Sequence, residues 1–261
     1  MVDDYIEFIQ KINSKHDIDL NLYKETQMKR RITTLRNKRG FSSYLTYFNE
    51  MNKNDELLKE FIDRLTINVS EFYRNPKRWE VLKNLVIPQL LKNKSQLSIW
   101  SAACSTGEEP YSLAIMLKEH FPEINVKILA TDIDEGALEK ANKGLYAEQS
   151  LKELPPSFKK KYFTKSGGSY KVDPGLKTII TFKRHNLLAE RYPTNCDLVI
   201  CRNVLIYFTD DAKDIIYRGF SNTLRDDGVL FVGSTEQIFT PEKYDFRLLD
   251  TFFYQKGKTN N

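Results

Sequence analysis

The 261-residue sequence predicts an α/β protein in which a mostly parallel, doubly wound sheet follows an all-α N-terminal region. Three observations predict this fold class. From Ile99 onward, short apolar runs alternate with helical segments, as strands joined by crossover helices do. Before about residue 80, apolar residues recur at helical spacing instead. The stretch "IWSAACSTGEEPYSLAIML", residues 99–117, has the pattern of a buried strand, a tight loop of small residues and an amphipathic helix, which is a candidate ligand-binding unit.

The N-terminal helical region, which we place at residues 1–80 with a linker following, contains several predicted helices. Their sequences are "DYIEFIQKI", "YKETQMKRRITTLRNKRG", "SSYLTYFNEM" and "ELLKEFIDRLT". Gly40 is expected to end the second helix, and Ser42 or Ser43 to cap the third. The apolar positions of these helices predict a small, separately packed all-α domain.

Residues 81–261 carry the predicted sheet, which a linking helix over 77–93 precedes. The predicted strands are "LSIWSA", "VKILATDID", "IITFKRHNLL", "CDLVICRNV", "GVLFVGSTE" and "FRLLDTFFYQK". Only a short loop around "IFTPEKYD" joins the last two, so we expect an antiparallel hairpin at one sheet edge. Between about residues 146 and 178 the alternation is interrupted. We predict an inserted β-subdomain there, with a helix and one or two short strands that turn at Gly167 and Gly168.

Composition excludes several classes of protein. A hydrophobic content of 41% suits one good-sized core, and no stretch approaches the roughly eighteen apolar residues of a membrane helix. The N-terminus "MVDDYIEFIQ" has neither the basic start nor the apolar run of a signal peptide, so we expect a cytoplasmic protein. The 3 cysteines form no Cys-x-x-Cys pair, so neither a disulfide framework nor a zinc site is predicted, and we expect no bound metal.

The loop after the first strand indicates which ligand the sheet binds. It contains Gly107 alone instead of a run of glycines, and Glu108 and Glu109 stand at the helix start, where they would repel a phosphate. Asp132 closes the second strand, where an acid hydrogen-bonds ribose hydroxyls. An adenosine joined to a cationic group satisfies both features, and S-adenosylmethionine is such a molecule. The alternatives are that the two glutamates are only first-turn acids and that Asp132 only caps the next helix.

The motifs taken in order resemble the CheR family of chemotaxis receptor methyltransferases. They are "TINVSEFYRNP", "IWSAACSTGEEPYSLA", "ATDIDEGALEKA", "HNLL" and "CRNVLIYF". The resemblance covers essentially the whole chain. It implies a class I S-adenosylmethionine-dependent methyltransferase domain of Rossmann-like fold, an N-terminal all-α domain and an inserted β-subdomain. It further implies that the protein transfers a methyl group from S-adenosylmethionine to glutamate side-chain carboxylates of chemoreceptors. The products would be S-adenosylhomocysteine and the glutamate methyl esters used in chemotactic adaptation.

The resemblance also assigns site residues, carried over motif by motif. The residues implied to bind the cofactor are Asn68, Ser70, Arg74, Glu109, Asp132, Asn186, Leu187, Arg202 and Asn203. Arg74 and Tyr207 are the implied catalytic residues. The insertion is compact around Gly167 and Gly168, whereas family members that dock on a receptor's C-terminal pentapeptide have a longer loop. We therefore expect methylation without such a tether.

The second helix is strongly basic. Residues 24–39 hold seven lysines and arginines against the single acid Glu25. Met28, Ile32 and Leu35 have the spacing of a buried stripe, which leaves another face to the cations Lys29, Arg30 and Arg36. We expect these three to bind the acidic methylation helices of the chemoreceptor cytoplasmic helical bundle. The alternative is an ordinary solvated face. The protein is expected to act as a monomer and to bind no nucleic acid.

Two other functions remain open from sequence. One is methylation of another carboxylate or of RNA, which the basic helix would favour, and the other is a cofactor-binding scaffold without turnover. Methylation of a base is disfavoured because "RNVL" stands where the Asn/Asp-Pro-Pro-aromatic tetrad would be, and Arg202 follows Cys201 without a Pro-Cys pair. The three histidines form no constellation, so none is assigned a catalytic role. A glutamate acceptor is consistent with this, because it is already ionised near neutral pH and needs no general base.

Overall fold

A computed structural model describes residues 4–92 and 94–257 of the chain. Its N-terminal region is a helical cluster. The helices are α1 (Tyr5–His16), α2 (Glu25–Lys38), α3 (Tyr44–Met51) and α4 (Asp55–Thr66), with a 3₁₀ turn at Leu20–Leu22. Phe8, Tyr47 and Phe61 are fully buried at the centre of the cluster. The predicted caps are confirmed in part: the Ser43 hydroxyl accepts a hydrogen bond from the Thr46 amide, and α2 ends just before Gly40.

A linking helix leads from this cluster to the sheet. It comprises α5 (Pro76–Val81), a π-helical turn (Leu82–Val86) and α6 (Ile87–Leu90). The last residue of the predicted helix, Asn93, lies outside the described residues. Pro88 lies two residues after the π turn and has no amide hydrogen, so it cannot donate the α-helical hydrogen bond to the Asn84 carbonyl oxygen. The regular hydrogen bonding of the helix is therefore interrupted where the π turn lies.

The main sheet has 7 strands in the order β6-β2-β1-β7-β8-β10-β9. Its strands are β1 (Gln96–Ala102), β2 (Asn125–Asp132), β6 (Ile180–Arg184), β7 (Cys196–Cys201), β8 (Leu224–Val232), β9 (Phe246–Asp250) and β10 (Phe253–Lys256). The crossover helices include α7 (Glu108–His120), α8 (Glu135–Lys143), α10 (Pro174–Lys177) and α11 (Asp210–Thr223). The strands from β6 to β8 run parallel, and the chain builds outward from β1 in both directions. Ligands of such sheets bind where the strand order reverses, which here lies between β1 and β7.

The end of the chain differs from the expected arrangement. The run "FRLLDTFFYQK" is two strands instead of one, because the backbone turns at Phe252, whose φ is +72°. The antiparallel hairpin at the sheet edge is therefore β9–β10, and β10 inserts between β8 and β9. The sequence carries no glycine or proline at this turn, which is why apolar patterning alone read it as a single strand.

The predicted interruption after residue 145 forms a small sheet of 3 strands in the order β3-β5-β4. Its elements are β3 (Leu145–Tyr146), α9 (Pro156–Tyr162), β4 (Phe163–Ser166) and β5 (Ser169–Val172). The hairpin turns at Gly167 and Gly168, as the sequence predicts. Phe72 packs edge-on against Tyr146 and Phe163, with ring centroids 4.8 and 5.1 Å away, so the segment between α4 and α5 anchors this subdomain.

Backbone contacts join the helical cluster to the sheet. Lys24 N donates to the Tyr207 carbonyl oxygen at 2.9 Å, and Thr209 N donates to the Leu22 carbonyl oxygen at 3.0 Å. The Asn186 side-chain amide donates to the Asp17 carbonyl oxygen at 2.6 Å. Across 4–92 and 94–257, none of the helices is both long enough and apolar enough to cross a membrane.

Candidate active site

A cleft opens at the carboxyl ends of the central strands, between the sheet and the helical cluster. It encloses about 1110 Å³, its opening to solvent included. All ten side chains that the sequence assigns to cofactor binding or catalysis line it. They are Asn68, Ser70, Arg74, Glu109, Asp132, Asn186, Leu187, Arg202, Asn203 and Tyr207. The helical cluster contributes Ile18, Tyr23 and Leu65, which the sequence did not single out.

The loop between β1 and α7 is a tight turn of unusual backbone conformation. Ala103 and Ser105 have φ values of +57° and +49°, and Gly107 has +92°. A Cβ at Gly107 would lie 2.8 Å from the Cβ of Ala141 on α8, so only glycine fits. Left-handed alanine and serine cost free energy, and such strain occurs at ligand sites. The loop therefore lines the cleft with the small residues Ala103, Cys104 and Ser105.

Asp132 ends β2 with its carboxylate buried and held in place. Its Oδ2 accepts a hydrogen bond from Ser105 N at 2.8 Å, and its Oδ1 accepts one from Asp134 N at 3.0 Å. Burial raises its pKa to about 6, although these backbone hydrogen bonds act in the opposite direction. Asp134, not Asp132, caps the next helix by accepting from Ala137 N. Each Asp132 oxygen keeps acceptor capacity for a ribose hydroxyl, so the reading of Asp132 as a mere cap is wrong.

Of the two glutamates that open α7, only Glu109 lines the cleft. It accepts a hydrogen bond from the Ser101 hydroxyl at 2.9 Å and lies 3.5 Å from Nη1 of Arg202. Glu108 accepts from the Thr106 hydroxyl at 2.6 Å and does not line the cleft. The expectation that both carboxylates face the ligand is therefore wrong for Glu108. Burial raises the pKa of both groups.

The segment after α4 carries three of the predicted residues in a strained backbone. Ile67, Tyr73 and Asn75 have φ values of +44°, +54° and +61°. Asn68 bridges two elements: its Oδ1 accepts from the Ser105 hydroxyl at 2.8 Å, and its Nδ2 donates to Asp134 Oδ2 at 2.6 Å. Ile67 is β-branched, and a β-branched residue with positive φ is a genuine outlier. It also lines the cleft.

Arg74 is fixed through its backbone. Its carbonyl oxygen accepts from Trp79 Nε1 at 3.1 Å and from Arg202 Nη2 at 2.9 Å. Its guanidinium donates to the Val69 carbonyl oxygen at 3.4 Å. Among the residues that the structure describes, no carboxylate lies within ion-pair distance of it. The charge of Arg74 is thus available to a ligand.

The loop after β7 presents Asn203 and Tyr207. Asn203 has a φ of +62°, and Tyr207 ends a 3₁₀ turn (Leu205–Tyr207). The guanidinium of Arg31 lies 5.0 Å from the centroid of the Tyr207 ring and donates to the Leu65 carbonyl oxygen. Sequence reasoning missed Arg31, although it directly precedes Ile32 of the buried stripe and so had to border the packed side of α2.

The three cations expected to bind a receptor lie on α2 outside the cleft. Lys29 Nζ stands 4.7 Å from the centroid of the Tyr5 ring, and the Arg36 guanidinium stands 4.2 Å from that of Tyr44. Arg30 is exposed. Met28, Ile32 and Leu35 are buried, which confirms the predicted stripe.

Comparison with known proteins connects this cleft to a family. Residues 3–66 match the family model "CheR methyltransferase, all-alpha domain", and residues 68–253 match "CheR methyltransferase, SAM binding domain". The chain is 44% identical over 254 residues to a chemotaxis protein methyltransferase of Listeria innocua, with 97% of each chain covered. It is 42% identical to a chemotaxis protein methyltransferase of Listeria monocytogenes, again with 97% of each chain covered. It is 34% identical to one of Borreliella burgdorferi, in a match that covers 90% of this chain and 88% of the relative.

The chain belongs to the CheR methyltransferase family. It is a chemotaxis methyltransferase whose methyl donor is S-adenosylmethionine. The donor set of the cleft fits this molecule, because a buried carboxylate at the end of β2 suits the ribose hydroxyls and Glu109 suits a cationic group. The cleft of this CheR protein holds no dedicated phosphate-binding run of glycines.

Two of the predicted cofactor residues have their polar groups largely engaged within the protein. Asn186 donates to Asp17, and its Oδ1 accepts from Leu188 N at 2.9 Å. Arg202 is buried beside Glu109, and burial lowers its pKa. In this CheR protein both residues tie the cleft walls together as well as lining them.

Proposed function

We propose that this enzyme methylates glutamate side-chain carboxylates of chemoreceptors and so forms glutamate methyl esters. The observation that carries the proposal is the guanidinium of Arg74, which lines the cleft with no carboxylate in ion-pair distance among the described residues. An arginine fork pairs with a carboxylate through two hydrogen bonds. Tyr207 lines the same cleft, and Arg31 adds a second guanidinium beside its ring. This set suits an anionic acceptor.

The residues of the cleft have to align and shield the acceptor. When bound, S-adenosylmethionine supplies an electrophilic methyl group next to a positively charged sulfur. A glutamate carboxylate is ionised at neutral pH, so the protein need not remove a proton from it. Arg74 would orient the carboxylate, and Tyr207, half-buried at the cleft wall, would exclude water.

The partner in this proposal is the acidic helical bundle in the cytoplasmic part of a chemoreceptor, and the enzyme would act on it in the cytoplasm as a monomer. Arg30, Lys29 and Arg36 on α2 would provide complementary charge. The hairpin of β4 and β5 is closed by Gly167 and Gly168 alone, which supports methylation without a receptor pentapeptide tether.

The experiment is methyl transfer from tritiated S-adenosylmethionine to membranes containing chemoreceptors. A glutamate methyl ester releases its label as methanol in mild alkali, whereas methylated amines and methylated bases keep it. Asp132→Ala protein serves as the cofactor-deficient control. Alkali-stable label, or transfer to RNA in preference to receptor, would contradict the proposal.

A further inference from the structure

The turn that follows β8 contains a buried carboxylate, Glu236, which does not line the cleft. Its side chain is 5% exposed. In the described part of the chain, no lysine or arginine lies within ion-pair distance of it. A buried charge without a cation is costly unless hydrogen bonds replace its solvation. Groups around Glu236 must therefore supply hydrogen bonds to its carboxylate.

Three backbone amides supply those hydrogen bonds. Glu236 Oε2 accepts from Asn203 N at 2.6 Å and from Gly233 N at 2.8 Å, and Oε1 accepts from Leu205 N at 2.6 Å. Asn203 and Leu205 lie beyond the end of β7, where no neighbouring strand pairs their amides. Short hydrogen bonds to a carboxylate are stronger than neutral ones. One side chain thus holds the loop that presents Asn203 and Tyr207 to the cleft.

Gly233 shows how closely this carboxylate approaches the backbone. A Cβ at Gly233 would lie 2.4 Å from Glu236 Oε2 and 2.8 Å from Asn203 N. No side chain fits there without displacing the carboxylate or the loop. Asn203 has a positive φ, a conformation that asparagine tolerates better than most residues, and the hydrogen bond from its amide to Glu236 holds the backbone there.

We propose that Glu236 is a positioning residue, whose buried carboxylate fixes the backbone of residues 203–207 and thereby places Asn203 and Tyr207 in the cleft. It acts through the loop and does not touch the ligand. The part of this inference that concerns Asn203 rests on cofactor binding alone, and the part that concerns Tyr207 rests on the proposed function.

Two variants disturb the hydrogen bonds of Glu236, one at the carboxylate itself and one at Gly233. Glu236→Gln keeps the shape but turns one acceptor oxygen into an amide NH₂, which faces at least one backbone N–H in either orientation. Gly233→Ala leaves Glu236 intact and pushes it away from Asn203. We expect both variants to weaken S-adenosylhomocysteine binding by about fivefold or more and to lower kcat by about tenfold or more.

The matched control is Asp197→Asn. Asp197 is also a buried carboxylate that accepts from a backbone amide, Ser98 N at 2.7 Å, but it stands at the opposite end of β7 from the cleft. Its loss should lower Tm while leaving binding and kcat of the folded protein within about twofold of wild type. A general loss of stability would affect all three variants alike, whereas a positioning role separates them.

Calorimetric titration with S-adenosylhomocysteine needs no receptor. If wild-type enzyme fails to methylate receptors, the proposed function falls while the titration still decides the role of Glu236. Binding and kcat within about twofold of wild type in folded Glu236→Gln and Gly233→Ala would overturn the inference, as would an equal loss in Asp197→Asn.

If neither Glu236→Gln nor Gly233→Ala folds, hydrogen exchange of the wild-type protein decides whether Glu236 holds the loop. Slow exchange of the Asn203 and Leu205 amides is expected, and exchange as fast as in an open loop would overturn the inference.

Discussion

An arginine in a cleft can orient a ligand or hold the fold together, and substitutions of Arg74 distinguish these two roles. Its backbone is anchored by Trp79 and Arg202, so its side chain can be changed without removing those hydrogen bonds. Lysine keeps the charge but loses the planar fork that orients a carboxylate. We expect Arg74→Lys to lower turnover nearly as much as Arg74→Ala, by at least about tenfold, which is about 1.4 kcal/mol of barrier. Steady-state kinetics and thermal melts check this, and a large loss of Tm accompanying the lost activity would assign Arg74 a structural role instead.

Asp132 predicts a pH dependence of ligand affinity. Its pKa is raised to about 6 by burial, so its carboxylate becomes protonated as the pH falls through that value. The protonated group loses acceptor capacity for the ribose hydroxyls. Affinity for S-adenosylhomocysteine should therefore decline by about tenfold between neutral pH and about pH 5. Asp132→Asn should bind weakly with little pH dependence over this range. A wild-type affinity that is constant down to about pH 5 would show that Asp132 does not contact the ligand as an acceptor.

Among the elements, α2 combines a packed stripe with cations in different surroundings. Arg30 is exposed, whereas Lys29 and Arg36 stand over tyrosine rings of the helical cluster. Arg30→Glu should weaken receptor methylation at low salt without changing cofactor affinity or Tm, and added salt should have the same effect on wild type. Lys11→Glu, the same charge reversal on α1 at a side chain that is 44% exposed, is the control. Equal methylation by wild type and Arg30→Glu at low salt would rule out this surface.

The elements also show what patterning can and cannot predict. The α2 stripe was predictable because Met28, Ile32 and Leu35 repeat at the helical period and tertiary packing agrees with it. The hairpin of β9 and β10 was not, because its turn at Phe252 carries neither glycine nor proline. Glu108 and Glu109 are adjacent in sequence, and only the helix direction at Gly107 decides which of them faces the cleft.

Over the whole molecule, the cleft is built from both the helical cluster and the sheet. Glu109 and Asp132 were predictable from the chemistry of the strand ends, and the other predicted cleft residues came from motif resemblance. Tyr23 and Leu65, which line the cleft, and Arg31, which lies beside the Tyr207 ring, depend on how the two parts pack, which local patterns do not specify. A ligand in such a cleft should stabilise both parts. S-adenosylhomocysteine at about 100 times its Kd should raise the free energy of unfolding by about 2.7 kcal/mol. Hydrogen exchange should slow in α4 as well as at the strand ends. Protection confined to the sheet would show that the helical cluster does not contact the ligand.

A calorimetric titration measures whether S-adenosylmethionine binds in this cleft with its ribose at Asp132. S-adenosylhomocysteine is titrated into wild type, Asp132→Ala and the distant Asp197→Asn control. We expect Asp132→Ala to lose about 1.5 to 3 kcal/mol of binding free energy, as is typical of hydrogen bonds to a charged acceptor, while the control binds like wild type. Unchanged affinity in a folded Asp132→Ala protein would contradict this placement of the ribose.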